Sequence, residues 1–116
     1  MTIQKKFAIP GDHICRLVPH NGGCLATDRI VVDASQVGYM YREDSDRTAD
    51  TGWRFFAGDE DEAYFNDISK TGVYAVNTVA NYDPDIIPYL NTPAPCAFEK
   101  ARGTSKYVRV EDPPSY

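Results

Sequence analysis

Two alternating segments in the middle of the chain constrain its fold more than any other feature. Val37, Tyr39 and Tyr41 alternate with Gly38, Met40 and Arg42, and Gly52-Trp53-Arg54-Phe55-Phe56 follows after a polar connection. A period of two marks a strand with one face turned to a core, so the pair predicts an antiparallel hairpin. Its connection, residues 43–51, is too long for a tight turn and carries Asp44, Asp46 and Asp50, which predicts a solvated, mobile tip. Alternation sets Trp53 and Phe55 on one face and Arg54 and Phe56 on the other. At least one face is core. Whether Trp53 belongs to that core or to an interface stays open at this level, since Trp and Arg are both enriched at interface hot spots.

Around the hairpin, short apolar runs are separated by breakers. Residues 14–18 read as a strand ended by Pro19, Gly22 and Gly23; residues 24–27 as a second; residues 28–33 as its extension or a separate turn. Asp59 fits an N-cap with Glu62 three residues on, predicting a helix of two turns over 59–66. Residues 71–76 read as a strand, and Asn77 as the cap of a brief helix over 78–82. Asp83-Pro84 is a further start signal, while Pro88 limits that element to one turn or a 3₁₀ segment. Residues 96–99 and 107–110 supply the last strands, joined across Gly103-Thr104. Ile and Val number 16 against three Leu, which favours strands, and 12 of the 17 acids are Asp, which favours loops and caps. Together these predict an α+β fold: a single compact domain, mostly antiparallel sheet with a few short helices. The 116 residues suffice for one core. They divide into an N-terminal extension over 1–22, a strand and turn packed on the domain, then the domain itself over 23–112 and a tail over 113–116.

The formal net charge of −5 and the absence of a Lys/Arg cluster argue against nucleic acid as a partner. Neither a signal-peptide run nor an 18-residue apolar stretch is present, so no membrane role is expected and the expected address is cytoplasmic. Cys15, Cys24 and Cys96 read as thiols of a reducing compartment, with a Cys15–Cys24 bridge left open. His13, Cys15, His20 and Cys24 lie close together but not at the spacing of a zinc knuckle. A calcium loop counted from Asp44 fails, because Ala49 stands at the glycine position and Phe55 at the terminal acid position. No nucleophile elbow or phosphate loop is found. No catalytic residue, metal ligand or cofactor is therefore assigned.

The remaining candidates form a partner-binding set: Asp44, Asp46, Trp53, Arg54, Asp59, Glu60, Asp61 and Glu62. The acidic run 59–62 has a plain structural explanation, because acids in a first helical turn complement the macrodipole. It also suits a hard cation or an acid and base pair, which makes a metal- or small-ligand-binding domain or an enzyme the alternative. An aromatic patch around Tyr39, Tyr41 and Trp53 would in turn support a homodimer.

Three ordered blocks carry a family resemblance. Val37-Gly38-Tyr39-Met40-Tyr41-Arg42-Glu43, then Gly52-Trp53-Arg54-Phe55-Phe56-Ala57-Gly58-Asp59-Glu60-Asp61, then Asn77-Thr78-Val79-Ala80-Asn81-Tyr82-Asp83-Pro84-Asp85-Ile86-Ile87-Pro88 resemble the bacterial immunity protein 33 family, also called domain of unknown function 2185. The resemblance runs from about Gly23 to Val110 and leaves residues 1–22, with both histidines, outside. In its last motif Cys96 stands where a small residue such as glycine is expected. What the resemblance implies is a small intracellular, non-enzymatic protein that neutralises a partner toxin, with no catalytic residues to transfer. An acidic surface suits a basic protein partner, for which it raises on-rate and specificity.

Overall fold

The two alternating segments do pair as a hairpin in the computed structural model, which describes residues 6–18, 22–45, 49–101 and 103–111. Strand β2 (Tyr39–Arg42) runs antiparallel to β3 (Asp50–Phe56), with Tyr39 opposite Phe56 and Tyr41 opposite Arg54. The predicted tip falls partly at residues 46–48, which with Asp46 lie outside the described residues. Four further strands extend the sheet: β1 (Gly23–Thr27), β4 (Thr71–Ala75), β5 (Cys96–Lys100) and β6 (Tyr107–Arg109). The order is β4-β1-β3-β2-β5-β6; β1 and β3 are parallel and every other neighbouring pair is antiparallel. The α+β expectation holds, with that one parallel pair inside the mostly antiparallel sheet.

Two glycines make the hairpin's close approaches. Gly52 has φ +87°, and a Cβ there would collide with the Glu43 carbonyl; a Cβ at Gly38 would collide with the Ala57 carbonyl. Beside Gly52 the β1–β3 register slips, since Gly23 faces Asp50 while Leu25 faces Arg54. This bulge brings Asp50 and Arg54 into reach of each other.

One face of the sheet is closed by helices α1 (Asp28–Val31) and α3 (Val76–Tyr82) and by the 3₁₀ turn Pro84–Tyr89. Ile30, Val31, Val79, Ala80 and Ile86 from these elements pack on Cys24, Met40, Trp53, Phe55 and Phe98 of the strands. Trp53 stacks on Phe55 at 5.8 Å and 14°, and both are shut off from solvent. That places Trp53 in the core, and burying each large apolar side chain contributes roughly 1.5–3 kcal/mol. Beneath the Pro84 turn lies a polar lock. The Asp83 carboxylate, 3 % exposed, accepts hydrogen bonds from the Val37 amide at 2.9 Å and Lys100 Nζ at 3.0 Å, with the Tyr107 hydroxyl 3.2 Å away. Burial, then the neighbouring Asp83, pushes the Tyr107 hydroxyl well above its ordinary pKa, so it stays a donor to the Val37 carbonyl at 2.7 Å.

Several local expectations need correction. Residues 14–18 form no strand; the segment is held by side chains of α3 instead of by a ladder. Residues 28–33 contain a helical turn, α1, made when the chain leaves β1. The predicted helix over 59–66 is only α2 (Glu62–Asn66), and its N-cap is Asp61, whose side chain accepts from the Tyr64 amide at 2.8 Å. Asp59 and Glu62 therefore form no capping box. Helix α3 starts at Val76 with Ala75 at its N-cap, whose methyl side chain cannot cap it; Asn77 lies inside the helix and its side chain holds the N-terminal segment. Asp83 does cap its turn, accepting from the Asp85 amide.

Candidate functional site

Among the described residues the second face of the sheet carries no comparable helical layer. Register puts Leu25 beside Val73, Tyr39 beside Phe56 and Glu99, and Glu99 beside Val108, all on this side. Its centre is a ladder of rings. Tyr41 stacks on Phe56 at 5.7 Å and 19°, Tyr39 lies 5.9 Å from Phe56 and 6.1 Å from Tyr41, and Phe65 of α2 meets Phe56 edge-on at 5.5 Å. Apolar side chains continue outward from it, with Val73 at 76 % and Val108 at 56 % exposure. Cross-strand ring pairs stabilise a sheet. A strip this apolar on an uncovered face is also the usual mark of an interaction surface.

Carboxylates border the ladder. At the hairpin tip Arg54 is clasped by Asp50 through two bonds of 2.9 Å and by Glu43 at 2.8 Å. The Arg54 hydrogen bonds, working against partial burial, hold the Asp50 carboxyl below its usual range, and the Asp50 hydrogen bond holds Arg54 above its own. Two carboxylates against one guanidinium leave the cluster net negative, and exposed Asp44 adds to it. Arg54, named from sequence as a contact residue, is thus 9 % exposed and internally satisfied, so it shapes the surface without offering a free cation.

The acidic run does not act as one cluster. Glu60 turns inward, accepting from the Thr27 hydroxyl at 2.6 Å and from the Ala57 and Gly58 amides at 2.8 Å each. Burial opposes its ionisation, but those bonds outweigh it and lower its pKa. Asp59 lies 3.5 Å from Arg29 Nε without hydrogen-bond geometry, and Asp61 caps α2. Only Glu62 of the four is exposed and without a hydrogen-bond or ion-pair partner among the described residues; three positions before Phe65, it shares that side of α2. No group of three His, Cys, Asp or Glu side chains converges among the described residues. Cys15 is exposed and Cys24 is buried and unpaired, its thiol pushed up to about 12 chiefly by burial. His20 lies outside the described residues. A cleft of about 740 Å³ at the sheet's end, beneath the same tip, is lined by Leu17, Arg42, Asp44, Trp53, Ile87 and Leu90 among others. Its Arg42 is spent on the Thr51 and Thr92 carbonyls.

The Immunity protein Imm33 domain family matches residues 24–111. This chain belongs to that family. The match takes in the hairpin, the ring ladder and both acidic borders, and leaves the segment before Gly23 outside. No curated protein and no solved structure matches the chain. Within this Imm33 domain, the sequence pattern pointed to Asp44 and Glu62 as surface residues but missed Phe56 as the neighbour of Tyr39 and Tyr41, and Phe65 as the neighbour of Phe56. The period-two alternation carried part of that signal. The pairing of α2 with β3 did not show in any pattern.

Proposed function

We propose that this Imm33 domain is a non-enzymatic protein-binding module that neutralises a basic toxin partner in the cytoplasm, using the open face of its sheet. The observation that carries the reading is the stacked ladder of Tyr39, Tyr41 and Phe56, extended by Phe65 and edged by Glu43, Asp44, Asp50, Glu62 and Glu99. Rigid aromatic rings supply contact area at little entropic cost, and the surrounding carboxylates steer a cationic surface toward them. Family membership supports a toxin as the partner. Cys15, Cys24 and Cys96, none of them in a disulfide, suit a reducing compartment. The alternative reading, a cation or catalytic site at 59–62, gains nothing from the geometry, because Glu60 and Asp61 are turned to backbone amides.

The test is co-purification with, and rescue from, a candidate toxin co-expressed with this protein. Tyr41→Ala and the pair Asp44→Lys/Glu62→Lys are expected to weaken binding about tenfold or more while leaving the unfolding midpoint nearly unchanged. The charge reversal is also expected to flatten the salt dependence. Unaltered affinity and salt dependence in both variants would reject the face. A molecular mass that doubles in the free protein and falls to monomer in Tyr41→Ala would assign the face to a homodimer instead.

A further inference from the structure

The segment before the family-matched domain is bound much as a peptide ligand is bound. Residues 6–18 contribute one buried side chain, Val18, and the Phe7 ring meets Tyr74 edge-on at 5.8 Å. Between these two anchors, the side chains of α3 grip the segment by its main chain. Asn81 accepts from the Cys15 amide at 2.9 Å and donates to the Cys15 carbonyl at 2.8 Å, treating one residue as a neighbouring strand would. Asn77 accepts from the Leu17 and Val18 amides at 2.7 and 3.1 Å and donates to the same Cys15 carbonyl at 2.9 Å. One turn on, the Tyr82 hydroxyl accepts from the Ile9 amide at 2.9 Å, and the Ala8 amide donates to the Val31 carbonyl. Every one of these bonds reads backbone atoms of the segment. The side chains of Cys15, Arg16 and Leu17 meanwhile face outward and are exposed.

We propose that Asn77, Asn81 and Tyr82 form a main-chain-reading groove, filled in the free protein by the chain's own strap over 7–18, and that an extended segment of a partner protein takes the groove when the strap leaves. Three observations support exchange over a fixed structural role. Main-chain recognition tolerates a different sequence, as in strand addition to a sheet edge. Val18 is the one side chain of residues 6–18 that is buried, Ile9 and Ile14 being half-buried and the rest exposed, which places the strap nearer than the sheet to the parts of a fold that open most easily. The groove residues lie inside the matched 24–111 while the strap lies outside, so the receptor belongs to the family domain and its present occupant does not. The groove is on the helix-covered side of the sheet, opposite the ring ladder, so this inference stands apart from the aromatic face.

The experiment keeps the whole chain. A protease site placed between residues 18 and 22 allows the strap to be cut only after folding, and a fluorescent synthetic peptide of residues 7–18 then probes the groove by anisotropy. The uncut chain is expected to ignore the peptide and to protect the Cys15, Leu17 and Val18 amides from hydrogen exchange. The cut chain is expected to keep its circular dichroism, release the strap and bind the peptide. A second peptide that keeps Phe7 and Val18 but shuffles the residues between should bind within about threefold, and Asn81→Ala should weaken both by about tenfold. Loss of folded signal on strap release would overturn the proposal, since the strap would then be structural. Failure of the shuffled peptide, no binding by the cut chain, or unprotected strap amides in the uncut chain would overturn it as well.

Discussion

The two faces of the sheet take alternate residues of the same strand and treat them differently. On β3, Trp53 and Phe55 point to the helices and are sealed, while Arg54 and Phe56 point away, Arg54 to Asp50 and Glu43 and Phe56 to Tyr39, Tyr41 and Phe65. Aromatic rings stand on both sides, yet one set fills the space between layers and the other lies in a ladder whose outer surface meets water. Stability and recognition are thereby separated across one backbone. A substitution on the covered side should act through folding, and one on the open side mainly through binding.

The strongest way to break this comparison is Trp53→Ala. Removing a sealed ring against Phe55 and Phe98 is expected to cost about 3–5 kcal/mol in urea unfolding, against less than about 1 kcal/mol for Tyr41→Ala across the sheet. Equal losses would mean that the open face is core. Next is Asp83→Ala, which leaves Lys100 with Asp85 and the Gln36 side chain and orphans the Val37 amide; a loss of about 3 kcal/mol is expected, with Lys100→Met restoring part of it in the double variant. A smaller effect than either core change belongs to Asp50→Asn at the tip, about 1 kcal/mol at neutral pH. Its sign with pH is determined: the folded carboxyl titrates below its ordinary value near 3.8, so its contribution is complete at neutral pH and fades as pH falls below about 4. Melting temperatures of the two proteins should therefore converge in acid, and a constant gap would show that the Arg54 clasp is not ionic.

Legibility in the sequence followed the range of the physics. The hairpin, the β5–β6 pair and the Asp83-Pro84 turn were readable because side-chain alternation and caps are local. Residues 14–18 misled because an apolar run looks the same whether its backbone bonds to a strand or to Asn77 and Asn81. The acidic run misled because Asp59, Glu60, Asp61 and Glu62 look equivalent in a row, while the turn after Gly58 sends Glu60 inward and makes Asp61 the cap. Trp53 could not be assigned from either side of its alternation until the helices took one face.

By itself the sequence determined that β2 and β3 pair, that Trp53 and Phe55 share a side, that the chain folds as α+β, and that its charge is acidic. Tertiary structure alone decided which side became core, that β3 runs parallel to β1, that Glu43 and Asp50 neutralise Arg54, and that the N-terminal strap lies along α3. The reason is range: alternation and capping act over two to four residues, whereas these arrangements join atoms up to 73 positions apart, as Ile9 and Tyr82 are.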